Sequence, residues 1–195
     1  QPIRLRGREL TVTTSMGVSV YPADGSNTET LLMHADTAMY QAKSAGRNRH
    51  CLFVPAMNLQ VSERLNIEND LRHALAHDEL RLHYQPVIDA KTKVVVGSEA
   101  LLRWQHPRHG FMQPDRFIPI AEESDLIIEI GQWVLEQACL QARKWQDSGL
   151  MPGFVAVNVS ARQLREPALT QTVQKALELS GLAPYLLKLS KALQI

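Results

Sequence analysis

The chain has 195 residues, 45% hydrophobic and 21% charged, with a formal net charge of +1. A chain of this length buries roughly 70% of its unfolded surface, which argues against a disordered protein and points to one domain and part of another. Neither half carries the basic excess of a nucleic-acid binder, and the longest apolar runs fall far short of the ~18 residues that span a membrane. Cys51 and Cys139 are far apart and form no C-x-x-C pair, which suits buried thiols in a reducing compartment. The chain opens at Gln1 without a methionine or a signal peptide, so the expectation is a fragment of a cytoplasmic protein.

In chain order, Leu10–Tyr21 is rich in Thr and Val, reads as a strand, and ends at the turn sequence Pro22-Ala23-Asp24-Gly25. Ser26-Asn27-Thr28-Glu29 has capping-box spacing, and Leu31, Ala35, Ala38, Met39 and Ala42 follow at helical spacing, with Gly46 as the stop. Cys51–Val54 reads as a closing strand, and residues 55–63, entered through Pro55, as a linker. Ile67, Leu71 and Leu75 place an amphipathic helix over Ser62–His77, with Ser62 as its cap. Strands are predicted at Leu80–Val87 and Val94–Trp104, and residues 105–119, with three prolines and Gly110, read as a loop. A long helix carries Ile127, Ile130, Val134, Ala138, Ala142 and Trp145 on one face and stops at Gly149. A strand at Phe154–Val159, a helix at Pro167–Ser180 and a strand beginning at Leu186–Leu189 complete the pattern. From residue 80 onward strands and helices mostly alternate, which indicates a parallel sheet or (β/α) barrel. The ~115 residues left are too few for a whole barrel of about 250.

Period-two alternation puts Val95, Gly97, Glu99, Leu101 and Arg103 on one strand face. A carboxylate and a guanidinium there could take a metal and a phosphate respectively; a surface ion pair on an edge strand is the alternative. Asn158 shares its face with Phe154 and Ala156 and marks either the strand end or a polar site. Gln85, before Pro86, is a single amide and says little alone. His73 and His77 stand at i, i+4 without a glutamate or a third ligand and read as a solvated helix face, while His106 and His109 flank Pro107 and read as exposed loop residues. There is no phosphate-binding glycine loop, dinucleotide fingerprint or nucleophile elbow.

Several motifs in register carry a family resemblance. Ser15-Met16-Gly17-Val18-Ser19 and Ala35-Asp36-x-Ala38-Met39-Tyr40-x-Ala42-Lys43-x-x-Gly46-Arg47-Asn48 resemble the C-terminal end of a GGDEF (diguanylate cyclase) domain. Tyr84-Gln85-Pro86-Val87, Ser98-Glu99-Ala100-Leu101-Leu102-Arg103-Trp104, Phe117-Ile118-Pro119-x-Ala121-Glu122 and Val157-Asn158-Val159-Ser160 resemble the first half of an EAL domain. The resemblance implies an α/β chain with three parts: the end of a cyclase-like α+β domain over 1–54, a linker over 55–63, and a truncated, partial TIM-like (β/α) barrel of EAL type over 64–195.

It also implies a bacterial signalling enzyme that hydrolyses cyclic di-GMP to linear pGpG with two Mg²⁺ or Mn²⁺ ions. Glu99 and Asn158 would be metal ligands, Arg103 would meet a substrate phosphate and Gln85 the nucleotide. Pro114, Phe117, Ile118 and Pro119 would line the guanine site. Two such ions can activate a water and stabilise the leaving oxygen. Lys43 and Arg47 match GGDEF positions that contact nucleotide phosphates, but the signature loop would lie before Gln1, so no cyclase activity is expected.

Where the family has an E-I-T-E motif, this chain reads Leu187-Lys188-Leu189-Ser190-Lys191, and it ends at Ile195 before the family's remaining ligands and catalytic lysine. The expectation is therefore a phosphodiesterase fragment that is inactive as it stands, its partner being cyclic di-GMP and not a nucleic-acid polymer. A homodimer through EAL domains and an upstream membrane anchor stay open. The alternative function is a non-catalytic module that binds cyclic di-GMP or another protein.

Overall fold

The computed structural model describes residues 3–5, 8–150 and 153–191; the end at Ile195 lies outside them. The chain divides into two compact units, Gln1–Asn66 and Ile67–Ile195. Among the described residues no helix is long and apolar enough to cross a membrane.

In the first unit β1 (Ile3–Leu5) and β2 (Arg8–Leu10) form an antiparallel pair, and β3 (Met16–Val18) runs parallel to β4 (His50–Leu52) across α1 (Thr28–Ser44). The long strand expected over Leu10–Tyr21 is thus shorter: β3 pairs over three residues, because its partner β4 is only three residues long. The helix cap falls on Asn27 and not on Ser26. Asn27 is extended, and its Oδ1 accepts from the Thr30 N–H at 2.8 Å. Gly17 meets α1 so closely that a Cβ would overlap the Ala35 carbonyl oxygen, and the helix answers with fully buried Ala38 and Ala42. Gly46, at φ +105, follows the helix end as expected.

Most of the residues read as a linker are helical. α2 spans Ala56–Ala74, so Ser62 lies inside it and caps nothing, and Leu75 falls just past its end. Most residues from Ala56 to Ser62 are helix-compatible and solvent-facing, a face that hydrophobic periodicity does not register.

The second unit is a sheet covered by helices on one face. Its strands are β5 (Leu80–Ile88), β6 (Val95–His106), β7 (Gly110–Met112), β8 (Phe154–Val159) and β9 (Leu187–Lys191), in the order β5-β6-β8-β9 with β7 paired to the end of β6. β5 is antiparallel to β6, while β6, β8 and β9 are parallel, as crossover helices require. The crossovers are α3 (Pro114–Glu123) with α4 (Leu126–Asp147), then α5 (Leu169–Ser180). Ile127, Ile130, Val134, Ala138 and Ala142 are all buried, as their spacing indicates, and Trp145 meets Tyr84 edge-on at 4.7 Å. Burial of Ile127, Ile130 and Val134 contributes roughly 1.5–3 kcal/mol each, and of the two alanines less.

The segment 105–119 is not a loop. It holds β7 and the start of α3, because Pro114 occupies the first helical position, where a missing N–H costs nothing, and Pro119 frees only the carbonyl of exposed Asp115.

His106 is likewise not exposed. It is 1% exposed, on the same strand face as buried Trp104. Its Nδ1 accepts from the backbone N–H groups of Arg108 (3.1 Å) and His109 (3.3 Å), so Nε2 carries the hydrogen donated to Asp70 Oδ2 at 3.0 Å. Arg108 also bonds to Asp70. Burial raises the Asp70 carboxyl, but the bonds from Arg108 and His106 outweigh it and hold it below the ordinary value of 3.8. A depressed carboxyl stabilises the fold fully above its unfolded value, and that contribution is lost as pH falls through the folded value. Acid unfolding followed by tryptophan fluorescence is therefore expected to steepen in the wild type below the ordinary carboxyl value of 3.8, where this contribution is lost. Asp70→Asn should be less stable at neutral pH and lose part of its pH dependence below 3.8. An unchanged acid limb would show that this contact contributes nothing.

Candidate functional site

The helix-free face of the sheet carries the polar residues. β5 and β6 set Gln85 directly opposite Glu99, and Arg81 opposite Arg103. Like charges placed so would repel. Arg81 turns away to Asp78, with bonds of 2.7 and 3.0 Å, while Arg103 donates from Nη1 to the Leu102 carbonyl at 2.8 Å. On the other side of β6, Glu99 stands level with Ala156, and Asn158 lies one face position further along β8. The Asn158 amide reaches back and donates from Nδ2 to Glu99 Oε1 at 2.6 Å. Residues 59 positions apart thus meet where the parallel β6–β8 ladder ends, with Asn158 at the carboxyl end of β8, where sites in such sheets gather.

Three of the predicted residues, Glu99, Gln85 and Arg103, share this face on neighbouring strands, and Asn158 joins them through its bond to Glu99. Gln85 is exposed, while Glu99, Arg103 and Asn158 are half-buried. Of the four residues expected to line the guanine site, two pack into the core. Phe117 is fully buried, packed edge-on against Trp104 at 5.5 Å on the opposite face of β6, and Ile118 packs against the same core. An amphipathic α3 turns these two inward. Pro114 is half-buried at its first position and Pro119 is exposed. Lys43, in the last turn of α1, and Arg47, at φ +59 just beyond it, are exposed residues of the other unit.

Hard oxygen donors suit Mg²⁺ or Mn²⁺. Glu99 offers a carboxylate, and rotation of the Asn158 amide would offer a second oxygen beside it. Among the described residues, however, no three His, Cys, Asp or Glu side chains come together in a way that could hold an ion. These residues fit one side of a divalent-ion site and do not fit a two-ion site. Elsewhere, Cys139 is fully buried, out of reach of a substrate, and that burial pushes its thiol up to about 11. Tyr84, buried and near Cys139, is pushed up to about 12.

Sequence reasoning missed two features. One is the Asp70–His106 bond, whose signal was present: His106 has the same strand parity as Trp104 and opposite parity to Glu99. The other is the turn after β8, in which Gln163 is buried with no hydrophobic pattern to announce it.

Residues 68–190 match the EAL domain model, and residues 1–49 match the diguanylate cyclase, GGDEF domain model. The bifunctional diguanylate cyclase/cyclic di-GMP phosphodiesterase MucR of Pseudomonas aeruginosa is 44% identical over 184 residues, covering 94% of this chain and 27% of that protein. The cyclic di-GMP phosphodiesterase PdeR of Escherichia coli is 42% identical over 177 residues, covering 91% and 26%. The chain thus spans about a quarter of the length of these relatives. Among solved structures, the PaMucR phosphodiesterase in its c-di-GMP complex superposes with a TM-score of 0.62 at 45% identity, over 64% of this chain and 50% of that one. The Xanthomonas citri FimX EAL domain in complex with c-diGMP gives 0.59 at 28% identity, over 70% and 52%. The one-sided sheet with Glu99 and Asn158 on its helix-free face is accordingly part of a TIM-like EAL fold, and the chain belongs to the EAL domain family, with a GGDEF segment ahead of it.

Proposed function

We propose that residues 67–195 carry the first half of the site of a phosphodiesterase that hydrolyses cyclic di-GMP to linear pGpG, adding one water across one phosphodiester bond. The observation that carries this reading is the 2.6 Å bond between Asn158 and Glu99, on a face that also presents Gln85 and Arg103. It is supported by the names of the relatives, MucR and PdeR among them, and by the c-di-GMP bound in the PaMucR complex.

In this reading the Arg103 guanidinium pairs with a phosphate through two parallel N–H donors. Gln85 hydrogen-bonds the nucleotide from the neighbouring strand. Glu99 and Asn158 would each give oxygen to a divalent ion, with no third His, Cys, Asp or Glu beside them among the described residues. A metal-bound water is the chemistry such an ion supplies.

The test has two arms on the 195-residue polypeptide. Cyclic di-GMP is expected to move the NMR signals of Gln85, Arg103 and Asn158; if none of them moves, the assignment of this face is wrong. Chromatography of cyclic di-GMP incubated with the chain and Mn²⁺ is expected to show no pGpG, since one carboxylate and one amide are too few ligands to hold two ions. Product formed by the wild type and lost in Glu99→Ala would support the phosphodiesterase and overturn the need for further ligands. Binding with no turnover in any longer EAL-containing chain would favour the non-catalytic module.

A further inference from the structure

The turn beyond β8 is built around a side chain that none of the chemistry above uses. Gln163 is 5% exposed. Its Oε1 accepts from the Ser160 N–H at 3.0 Å, and Ser160 Oγ accepts in return from the Gln163 N–H at 3.1 Å. The side chain lies flat on Gly131 of α4, where a Cβ would overlap Nε2 and stand 2.7 Å from Cδ. A second fastening is on the surface. Arg162 donates from Nε to Asp125 at 2.7 Å and from Nη1 to Glu166 at 2.5 Å, and Asp125, at φ +62, stands at the start of the same helix α4.

This turn matters because of where the ladder stops. The last residue of β8 in register with β6 is Val157, opposite Ala100. Asn158 is therefore one position past the pairing that ties β8 to the strand of Glu99, yet its amide must meet Glu99 across that gap. On its other side β9 still pairs with Asn158 and Val159, opposite Ser190 and Lys191, and what ties the chain just beyond to α4 is Ser160, bonded to Gln163, whose side chain packs on Gly131.

We propose that Gln163, seated on Gly131, is a positioning residue that aims the Asn158 amide at Glu99. The proposal rests on the reading of Glu99 and Asn158 as the working pair. Its test uses no cyclic di-GMP, so the two can fail separately.

The readout is the side-chain amide of Asn158 in the ¹⁵N-labelled chain, assigned by its disappearance in Asn158→Asp. In Gln163→Ala this signal is expected to lose its hydrogen-bonded shift and to exchange with water about fivefold faster. The side-chain amides of Gln132 and Gln174, which donate to Glu136 and Glu178, should stay in place and report an intact fold. Gln163→Glu keeps the acceptor for the Ser160 N–H and should restore the Asn158 signal. An Asn158 amide unmoved in Gln163→Ala overturns the proposal. So does a change shared equally by Gln132 and Gln174, which would mean general destabilisation. Should Gln163→Ala fail to fold, Ser160→Ala removes only the hydroxyl that receives the Gln163 N–H. The same loss at Asn158 then supports the proposal, and an unchanged signal sinks it.

Discussion

Trp104→Ala is expected to destabilise the second unit by about 3–5 kcal/mol, the range for deleting a large buried aromatic. Trp104 is fully buried, stands edge-on to Phe117 at 5.5 Å and to one side of the His106 ring at 4.8 Å, and donates its indole N–H to Glu79 at 2.9 Å. Truncation would remove the packing partner of α3 and leave Glu79, half-buried, without that donor. A loss of this size is a large fraction of the 5–15 kcal/mol that holds most domains together. The measurement is urea unfolding followed by fluorescence, since all three tryptophans, Trp104, Trp133 and Trp145, lie in the second unit. Trp104→Phe keeps most of the area and loses only the indole donor, so it should cost far less. Equal effects from both substitutions would mean that the hydrogen bond to Glu79, and not the packing, carries the stability.

A Mn²⁺ titration of the labelled chain is expected to broaden the signals of Glu99 and Asn158 first, with a Kd on the order of 10⁻³ M, the weak end of the range that oxygen-ligand sites reach when few charged ligands contribute. The reasoning is one of counting. One carboxylate and one amide supply at most three oxygens, and among the described residues no cluster of three or more His, Cys, Asp or Glu exists to add the rest. Glu99→Ala removes the only charge of the pair, and the selective broadening should then disappear while the fold survives, because Glu99 is only half-buried. Broadening that persists in Glu99→Ala would place the ion elsewhere. Micromolar binding in the wild type would mean that further ligands assemble around the pair.

These two experiments probe opposite faces of one strand, and that division was already present in the sequence. β6 alternates, so Glu99 and Arg103 had to point one way and Ala100, Trp104 and His106 the other. The same periodicity placed Ile127 through Ala142 against the sheet and stopped the helix near Gly149. The EAL and GGDEF motifs, and with them the family, were legible because they are strings of adjacent residues.

Proximity between distant segments was not legible in periodicity. Asn158 and Glu99 lie 59 residues apart and meet only because β8 enters the sheet beside β6, in a register that alternation alone does not specify. Phe117 and Ile118 read as site residues in a linear motif, but α3 winds them onto the core side, since burying an aromatic against Trp104 outweighs exposing it at the rim. His106 looked like a loop histidine beside a proline until Asp70, one helix away, supplied the partner that makes its burial affordable. Gln163 is the same case in polar form: nothing local announces a buried amide, and only the bare backbone of Gly131, brought over from α4, makes room for it. Local spacing thus determined which face each side chain takes, and the register and packing of the whole sheet decided which of them meet, because a meeting depends on the path of the chain between them.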